Sequence, residues 1–362
     1  MEQQVFCGNK ALVSLKKTLK EIDPKKILIV RGKGSYELSG AKELVKKIIE
    51  ELDTEIQEFS EFTPNPDYND IKKGLKLVDS YMPDLIIGIG GGSVIDTGKS
   101  LRFLNAYNYS PTKGEWKKKK YTLPMLAIPT TSGTGAECTK FAIYYKDKIK
   151  ESLDHPEVVP DMVLLWPQLT NANSEYLTAC CGFDAFAQAV EALWNKYTTE
   201  ESDKYAKKAL SLIVPNIKDA VKHPDEKNRA KMMEGAYWAG RAINITRTTA
   251  PHAFAYTFTS HYGYPHGHAV ALTFPILAEI NLNSGKVSSE KTGFILDTCG
   301  IAADSIKEEF TRFTHELGLA PKDVDYDIDL LAGGVNAGRL KNNPAEITPE
   351  IALKVVKDSL CK

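Results

Sequence analysis

Hydrophobic positions in the first half of the chain come in short solid runs, each followed by a stretch of helical spacing. Lys26–Arg31 (KILIVR) is one such run and stops at Gly32, which predicts a buried strand. A helical pattern over residues 37–52 follows, then a second strand over 54–59. Pro64-Asn65-Pro66 interrupts the chain ahead of a helix over Tyr68–Tyr81. Residues 84–89 (DLIIGI) predict another buried strand, which passes through Gly90-Gly91-Gly92-Ser93 into a helix over 94–104, and 124–128 predict a further strand. Alternation of this kind builds a parallel sheet with helices on both faces.

From about Ser174 the pattern changes. Strand-like runs become few, and residues 176–194, 202–214, 226–242 and 268–282 carry helical spacing. The expected organisation is an α/β domain over 1–172 followed by an all-helical domain over 173–362.

Length and composition agree with two soluble domains: 362 residues, 43% hydrophobic and 26% charged. A formal net charge of -1 gives no field that favours nucleic acid or an anionic membrane, so neither is expected as a partner. The basic run Lys117 to Lys120 reads as a solvated loop. No apolar stretch approaches the roughly 20 residues of a membrane span, and the first residues lack the pattern of a secretion signal. The six cysteines form no CxxC pair, which points to reduced thiols and a cytoplasmic location.

Two polar loops carry candidate chemistry in the first domain. In Gly90-Gly91-Gly92-Ser93, glycines let backbone N–H groups approach a phosphate, and the helix that follows adds a favourable dipole. The sequence fits neither GxGxxG nor a P-loop. The second loop, Pro129 to Glu137 (PTTSGTGAE), also follows a strand and offers several hydroxyl donors. Loops after successive parallel strands meet at the carboxyl edge of the sheet, where ligands of open α/β sheets bind.

The second domain holds a histidine cluster: His252, His261, His266 and His268 fall within seventeen residues. Imidazole suits Fe, Zn, Ni and Cu, and Asp184 is a candidate carboxylate partner. An aspartate among Phe183, Ala185 and Phe186 is costly to bury unless paired or metal-bound, and Gln188 shares its helical face. Capping or an ion pair with Arg247 is the alternative for Asp184.

Taken together, PNP at 64–66, GGGSVIDTGK at 90–99, IPTTSGTGAE at 128–137, VPD at 159–161, GFDAFAQAVEALW at 182–194 and PHGHA at 265–269 resemble the iron-containing alcohol dehydrogenase family, of dehydroquinate synthase-like fold. The similarity runs from about Lys26 to about Leu282. It implies an NAD(P)-dependent alcohol dehydrogenase or aldehyde reductase with a divalent metal, Fe2+ ahead of Zn2+, and a homodimer or larger homo-oligomer. It implies cofactor contacts from Gly91, Gly92, Ser93 and Asp96, from Thr130, Thr131 and Thr134, from Lys150, and from Asn65. Gly32 stands where NAD-preferring relatives often have an aspartate, so NADP(H) is permitted beside NAD(H), with Arg31 or Lys33 facing a 2′-phosphate. The implied metal ligands are Asp184, His252 and His266, with Gln188 where most members have a histidine. Tyr256 replaces a second usual histidine, and Tyr256 or His261 is expected to relay a proton.

The run Thr246 to His252 (TRTTAPH), Gln188 and His266-Gly267-His268 look most like the phosphonoacetaldehyde reductase branch. A phosphonate dianion needs charge-assisted donors, and Arg247 with Thr248 and Thr249 is the candidate clamp. The competing readings are a general dehydrogenase of small unphosphonylated alcohols and aldehydes, a synthase or lyase on the same fold, and a catalytically silent dinucleotide-binding homologue.

Overall fold

A computed structural model describes residues 3–110, 112, 114–147 and 149–360, without the side chains of residues 149 and 150. The chain divides into two compact units, Met1–Thr131 with Ala136–Ala172, and Asn173–Lys362 with Ser132–Gly135.

The first unit holds β1 (Gln4–Cys7), α1 (Ala11–Ile22), β2 (Lys26–Arg31), α2 (Ser35–Leu38), α3 (Ala41–Ile49), β3 (Glu55–Phe59), α4 (Tyr68–Tyr81), β4 (Leu85–Gly90), α5 (Gly92–Ala106), β5 (Tyr107–Ser110), β6 (Glu115–Lys118), β7 (Met125–Pro129), β8 (Phe141–Lys146), β9 (Ile149–Asp154) and β10 (Met162–Leu165). Six strands form one parallel sheet in the order β1-β10-β7-β4-β2-β3. The central strands β4 and β7 are buried throughout, as a sheet covered on both faces requires. From β2 the chain winds outward to β3 and then returns to the other side of β2 as β4. The strand order therefore reverses between β2 and β4, which opens a crevice at their carboxyl ends.

The predicted strands and the helix Tyr68–Tyr81 are present, with small shifts at their ends. Asp67 caps α4 by accepting from the Asn69 N–H at 2.8 Å, and Met82 ends it in a left-handed turn. The helix expected over 37–52 is divided into α2 and α3 at Gly40, whose φ of 77° no ordinary residue adopts cheaply. Part of the basic run is a strand rather than a loop. Lys117 and Lys118 belong to β6, which pairs with β5, and Lys118 binds Glu157 at 2.7 Å. β1 and β10 were not anticipated, because four residues are too few to show a period.

The second unit is helical: α6 (Glu175–Trp194), α7 (Glu200–Ile213), α8 (Ile217–Lys222), α9 (Glu226–Thr246), α10 (Ala250–Tyr262), α11 (His266–Leu282), α12 (Ser289–Cys299), α13 (Ile306–Glu316), α14 (Ile328–Gly333), α15 (Ala337–Leu340) and α16 (Pro349–Leu360). Helices α6 and α11 are apolar nearly all round and form the centre of its core. Phe183 and Phe186 of α6 pack on Phe274 of α11 at 5.3 and 5.5 Å, and Phe310 of α13 closes the cluster. Burying each such ring is worth about 1.5–3 kcal/mol. This aromatic seam fixes α11 against α6, and both helices carry candidate ligands. Among the described residues no helix is long and apolar enough to cross a membrane.

Candidate active site

The sheet crevice of the first unit gathers the loops after β2, β4 and β7. A Cβ on Gly32 would lie 3.9 Å from Val94, and one on Gly91 would lie 3.6 Å from Thr131. Asn65, on the loop after β3, adopts φ 58° and donates its backbone N–H to Ser93 Oγ at 3.1 Å. The Thr130 N–H is held by the Gly90 carbonyl at 3.0 Å. Gly91 caps α5 and has no side chain of its own to take the first N–H groups of the helix. Exposed amides at a helix N-terminus are a ready phosphate site. Asp96 lies one turn in, accepts from the Ile143 N–H at 3.2 Å, and stands 3.5 Å from Lys99.

Beneath this surface Lys99 is fully buried and donates to the Ala136 carbonyl at 2.7 Å and to Thr139 Oγ1 at 3.2 Å. Burial pulls its ammonium down, against the attraction of Asp96. Burial also pushes the nearby Glu137 carboxyl up to about 7, only partly offset by Lys99. Arg31 is already engaged: it binds Glu58 at 2.7 Å and stacks over Tyr36 at 5.0 Å. Lys33 is exposed and is the basic side chain of this turn left to meet a 2′-phosphate. Thr134 falls in the short segment that clusters with the helical unit, where Gly133 lies against Cys181 and Gly135 against Gly240 too closely for any Cβ. The side chain of Lys150 lies outside the described residues.

In the helical unit Asp184, His252 and His266 converge, with their ligand atoms within 4.8 Å of one another. Asp184 and Gln188 sit one turn apart on α6, which Ser174 caps through the Leu177 N–H. His252 lies in the first turn of α10, started by Pro251, and His266 opens α11. Gly267 makes the meeting possible. A Cβ there would stand 1.9 Å from the Cys180 carbonyl oxygen and 3.1 Å from the Asp184 Cβ, so only glycine lets α11 begin this close to α6.

His252 Nε2 faces Asp184 Oδ1 at 3.1 Å, and His266 Nε2 is 4.0 Å from the same oxygen. The other His252 nitrogen, Nδ1, bonds the Glu191 carboxylate. Glu191 is completely buried and also accepts from the Thr249 N–H at 2.5 Å and its hydroxyl at 2.8 Å. Thr249 in turn accepts from Trp194 Nε1 at 2.9 Å. Burial opposes the charge on His252, but Glu191 and Asp184 outweigh it and raise the imidazolium to about 9. Burial likewise opposes the Asp184 charge, and the hydrogen bond from His252 with the nearby imidazoles holds its carboxyl below the ordinary value.

These residues fit a divalent ion. They supply one carboxylate and two imidazoles, the set that Zn2+ takes in hydrolases and Fe2+ in non-haem oxygenases. Gln188 is 3% exposed and hydrogen-bonds Asp184, yet its amide oxygen has no partner. An orphaned buried oxygen costs about 1–3 kcal/mol, which a cation beside Asp184 would offset. Glu191 has the place of the carboxylate that orients a ligating imidazole.

Two histidines of the sequence cluster are not brought to the trio. His268 is spent structurally: its Nδ1 accepts from Tyr176 at 2.8 Å and its Nε2 donates to the Ala320 carbonyl at 2.9 Å. His261 is exposed in the last turn of α10, nine residues and about 13 Å of helix beyond His252, too far to relay a proton directly. Tyr256 is half-buried one turn from His252. Arg247 ends α9 exposed, with φ 65° and ψ 179°. Sequence reasoning missed Glu191. Its signal was a second carboxylate seven residues after Asp184 on the same face of an apolar helix.

Family models match both halves of the chain: "Iron-containing alcohol dehydrogenase" over residues 2–167 and the C-terminal model of the same family over 178–359. The match thus reaches further toward both ends than the 26–282 legible from motifs alone. Alcohol dehydrogenase 4 of Saccharomyces cerevisiae is 29% identical, over 97% of this chain and 95% of its own length. The crystal structure of an iron-containing alcohol dehydrogenase from Thermotoga maritima superposes with a TM-score of 0.86 at 28% identity, covering 99% of this chain and 98% of that one. That of sulfoacetaldehyde reductase from Bifidobacterium kashiwanohense, in complex with NAD+, does so with a TM-score of 0.87 at 25% identity, covering 99% and 97%.

Proposed function

Because the chain belongs to the iron-containing alcohol dehydrogenase family and is therefore an NAD(P)-dependent, metal-dependent alcohol/aldehyde oxidoreductase, we propose that it works as an aldehyde reductase on a small aldehyde bearing a tetrahedral anion, phosphonoacetaldehyde giving 2-hydroxyethylphosphonate. The balance is one aldehyde, one NAD(P)H and one proton, giving one alcohol and NAD(P)+. Asp184, His252 and His266, with Gln188 beside them, would hold a divalent ion that would supply Lewis-acid polarisation of the carbonyl, and a bound nicotinamide would supply the hydride.

The protein's part is placement and electrostatics. Glu191 fixes the His252 ring so that Nε2 faces the Asp184 carboxylate. Gly91, Gly92 and Ser93 offer backbone N–H groups to the cofactor pyrophosphate, with Asp96, Thr130, Thr131 and Asn65 around the rest of the dinucleotide. Tyr256 is the hydroxyl one turn from His252 that can pass a proton through water.

The observation that carries the anionic substrate is the pair of hydroxyls Thr248-Thr249 leading into His252, set in place by the backbone turn at Arg247 and not by its side chain. Thr249 and His252 share the Glu191 carboxylate. Arg247 just before them sits on strained left-handed backbone, its carbonyl held by Asn195 at 3.2 Å. Strain of about 1–3 kcal/mol persists at sites that use it. Sulfoacetaldehyde, in the name of the similar Bifidobacterium enzyme, has the same layout: an aldehyde with a tetrahedral anion on the adjacent carbon. The five free thiols among the described residues support a cytoplasmic setting.

Oxidation of NADH and NADPH followed at 340 nm tests the reading, with phosphonoacetaldehyde, propanal and lactaldehyde compared on the metal-loaded protein. Catalytic efficiency at least tenfold higher on the phosphonate is expected. Equal or better turnover of the plain aldehydes would leave the family activity standing and refute the phosphonate.

A further inference from the structure

The geometry points to Arg339, 87 residues after His252 in sequence, as the residue that binds the substrate's anionic group. This rests on the anionic-aldehyde reading above and names the specificity residue it requires.

Arg339 lies on α15, and the chain on either side of it is pinned across the start of α10. The Asn336 N–H donates to the Ala253 carbonyl at 3.3 Å. Asn342 donates to the Thr248 carbonyl at 3.0 Å, and Asn343 accepts the Ala250 N–H at 3.3 Å while exchanging hydrogen bonds with Asn281 at 2.9 and 2.7 Å. Asn343 is completely buried, so this docking is part of the core and not a surface accident. It carries the Arg339 guanidinium onto Thr248, whose hydroxyl accepts from it, and over the Tyr256 ring at 5.8 Å.

Among the described residues this arginine has no ion pair, and its side chain makes the one hydrogen bond to Thr248 and no contact with a carboxylate. It is nevertheless half-buried, where a guanidinium is costly unless something anionic completes it. The rest of its planar fork is available, and that fork matches two oxygens of a phosphonate or sulfonate. Its position suits the substrate too. Thr248 is four residues before His252 and Tyr256 four after it, so the guanidinium bridges the two sides of a metal-ligand position. Tyr256 is one turn of α10 from His252, about 5–6 Å between side chains, which suits an anion on the carbon next to the aldehyde. Arg247, the nearer arginine in sequence, is exposed.

The test compares the wild type with Arg339→Met, Arg339→Lys and Arg247→Met, all metal-loaded. The readouts are the ratio of catalytic efficiencies for phosphonoacetaldehyde and propanal, and the inhibition of propanal reduction by 2-hydroxyethylphosphonate. Arg339→Met should lower the ratio and weaken the inhibition by about tenfold to a hundredfold, seen in KM more than in kcat, with Arg339→Lys between it and the wild type. Arg247→Met should move both by less than about threefold. An Arg339→Met ratio and inhibition unchanged from wild type, or losses confined to Arg247→Met, would overturn the assignment. If Arg339→Met does not fold, Arg339→Lys decides by the same two readouts. A wild type inactive on phosphonoacetaldehyde would sink the substrate reading alone, since inhibition by the anion would still judge Arg339.

Discussion

The two units of this chain prepare their chemistry with different materials. In the α/β unit the candidate phosphate site is mostly backbone, freed by glycine after β4 and aimed by the start of α5. In the helical unit the candidate metal site is all side chain, drawn from α6, α10 and α11 and fixed by a buried network through Glu191 and Thr249. A backbone site needs only a turn and a helix, so one substitution weakens it a little. A side-chain site has no spare part, and its supporting carboxylate matters almost as much as its ligands.

The sharpest way to break this contrast is at Asp184. Asp184→Asn removes the only anionic ligand of the trio, and aldehyde reduction should fall on the order of a thousandfold. Activity within tenfold of wild type would place the metal elsewhere.

The buried pair beneath the nucleotide loops tests whether the α/β unit is really indifferent to its side chains. Glu137 has its carboxyl raised from the model-compound value of 4.5 to about 7. A raised acid favours the folded state below about pH 4.5 and loses that contribution as pH rises through 7, on the order of 3 kcal/mol across the window. Melting temperature should therefore fall between pH 5 and 7.5 more steeply in wild type than in Glu137→Gln. Parallel curves would show that Lys99 compensates the charge.

At Glu191 the expected effect is smaller. Glu191→Gln keeps the shape but weakens the hold on His252 Nδ1, so metal affinity should drop about tenfold to a hundredfold, measured by competition with a chelator. No change would make Glu191 a packing residue only.

Smallest of all is Gly91→Ala. Its Cβ would make an ordinary 3.6 Å contact with Thr131, so the fold should tolerate it. The KM for the dinucleotide should rise by roughly tenfold or less, with kcat nearly unchanged. A loss as large as that of Asp184→Asn would erase the distinction between the two units.

The same contrast explains what could be read from sequence. β2, β4 and the glycine turn are local: six apolar residues and the glycines after them carry the whole signal. β1 and β10 exist because β10 pairs with β7 and β1 with β10, long-range facts that four residues cannot announce. In the helical unit, Asp184 and Gln188 were legible from one turn of helix, and the histidines from their clustering. Clustering alone did not say which histidines converge, and the resemblance supplied His252 and His266, while His268 is diverted to Tyr176 and Ala320 by tertiary contacts. Glu191 was within reach of the same helical-face argument. Arg339 was not, since only the docking of Asn342 and Asn343 brings it to Thr248.

In the proposed function Asp184, His252 and His266 hold the ion on which aldehyde reduction depends. The most direct test is the metal content of purified wild type and His252→Ala after loading with Fe2+ or Zn2+ and removal of the excess, with circular dichroism confirming the fold. One ion per chain is expected in the wild type and almost none in the variant, with turnover following occupancy. Full occupancy in folded His252→Ala, or turnover by metal-free wild type, would contradict it.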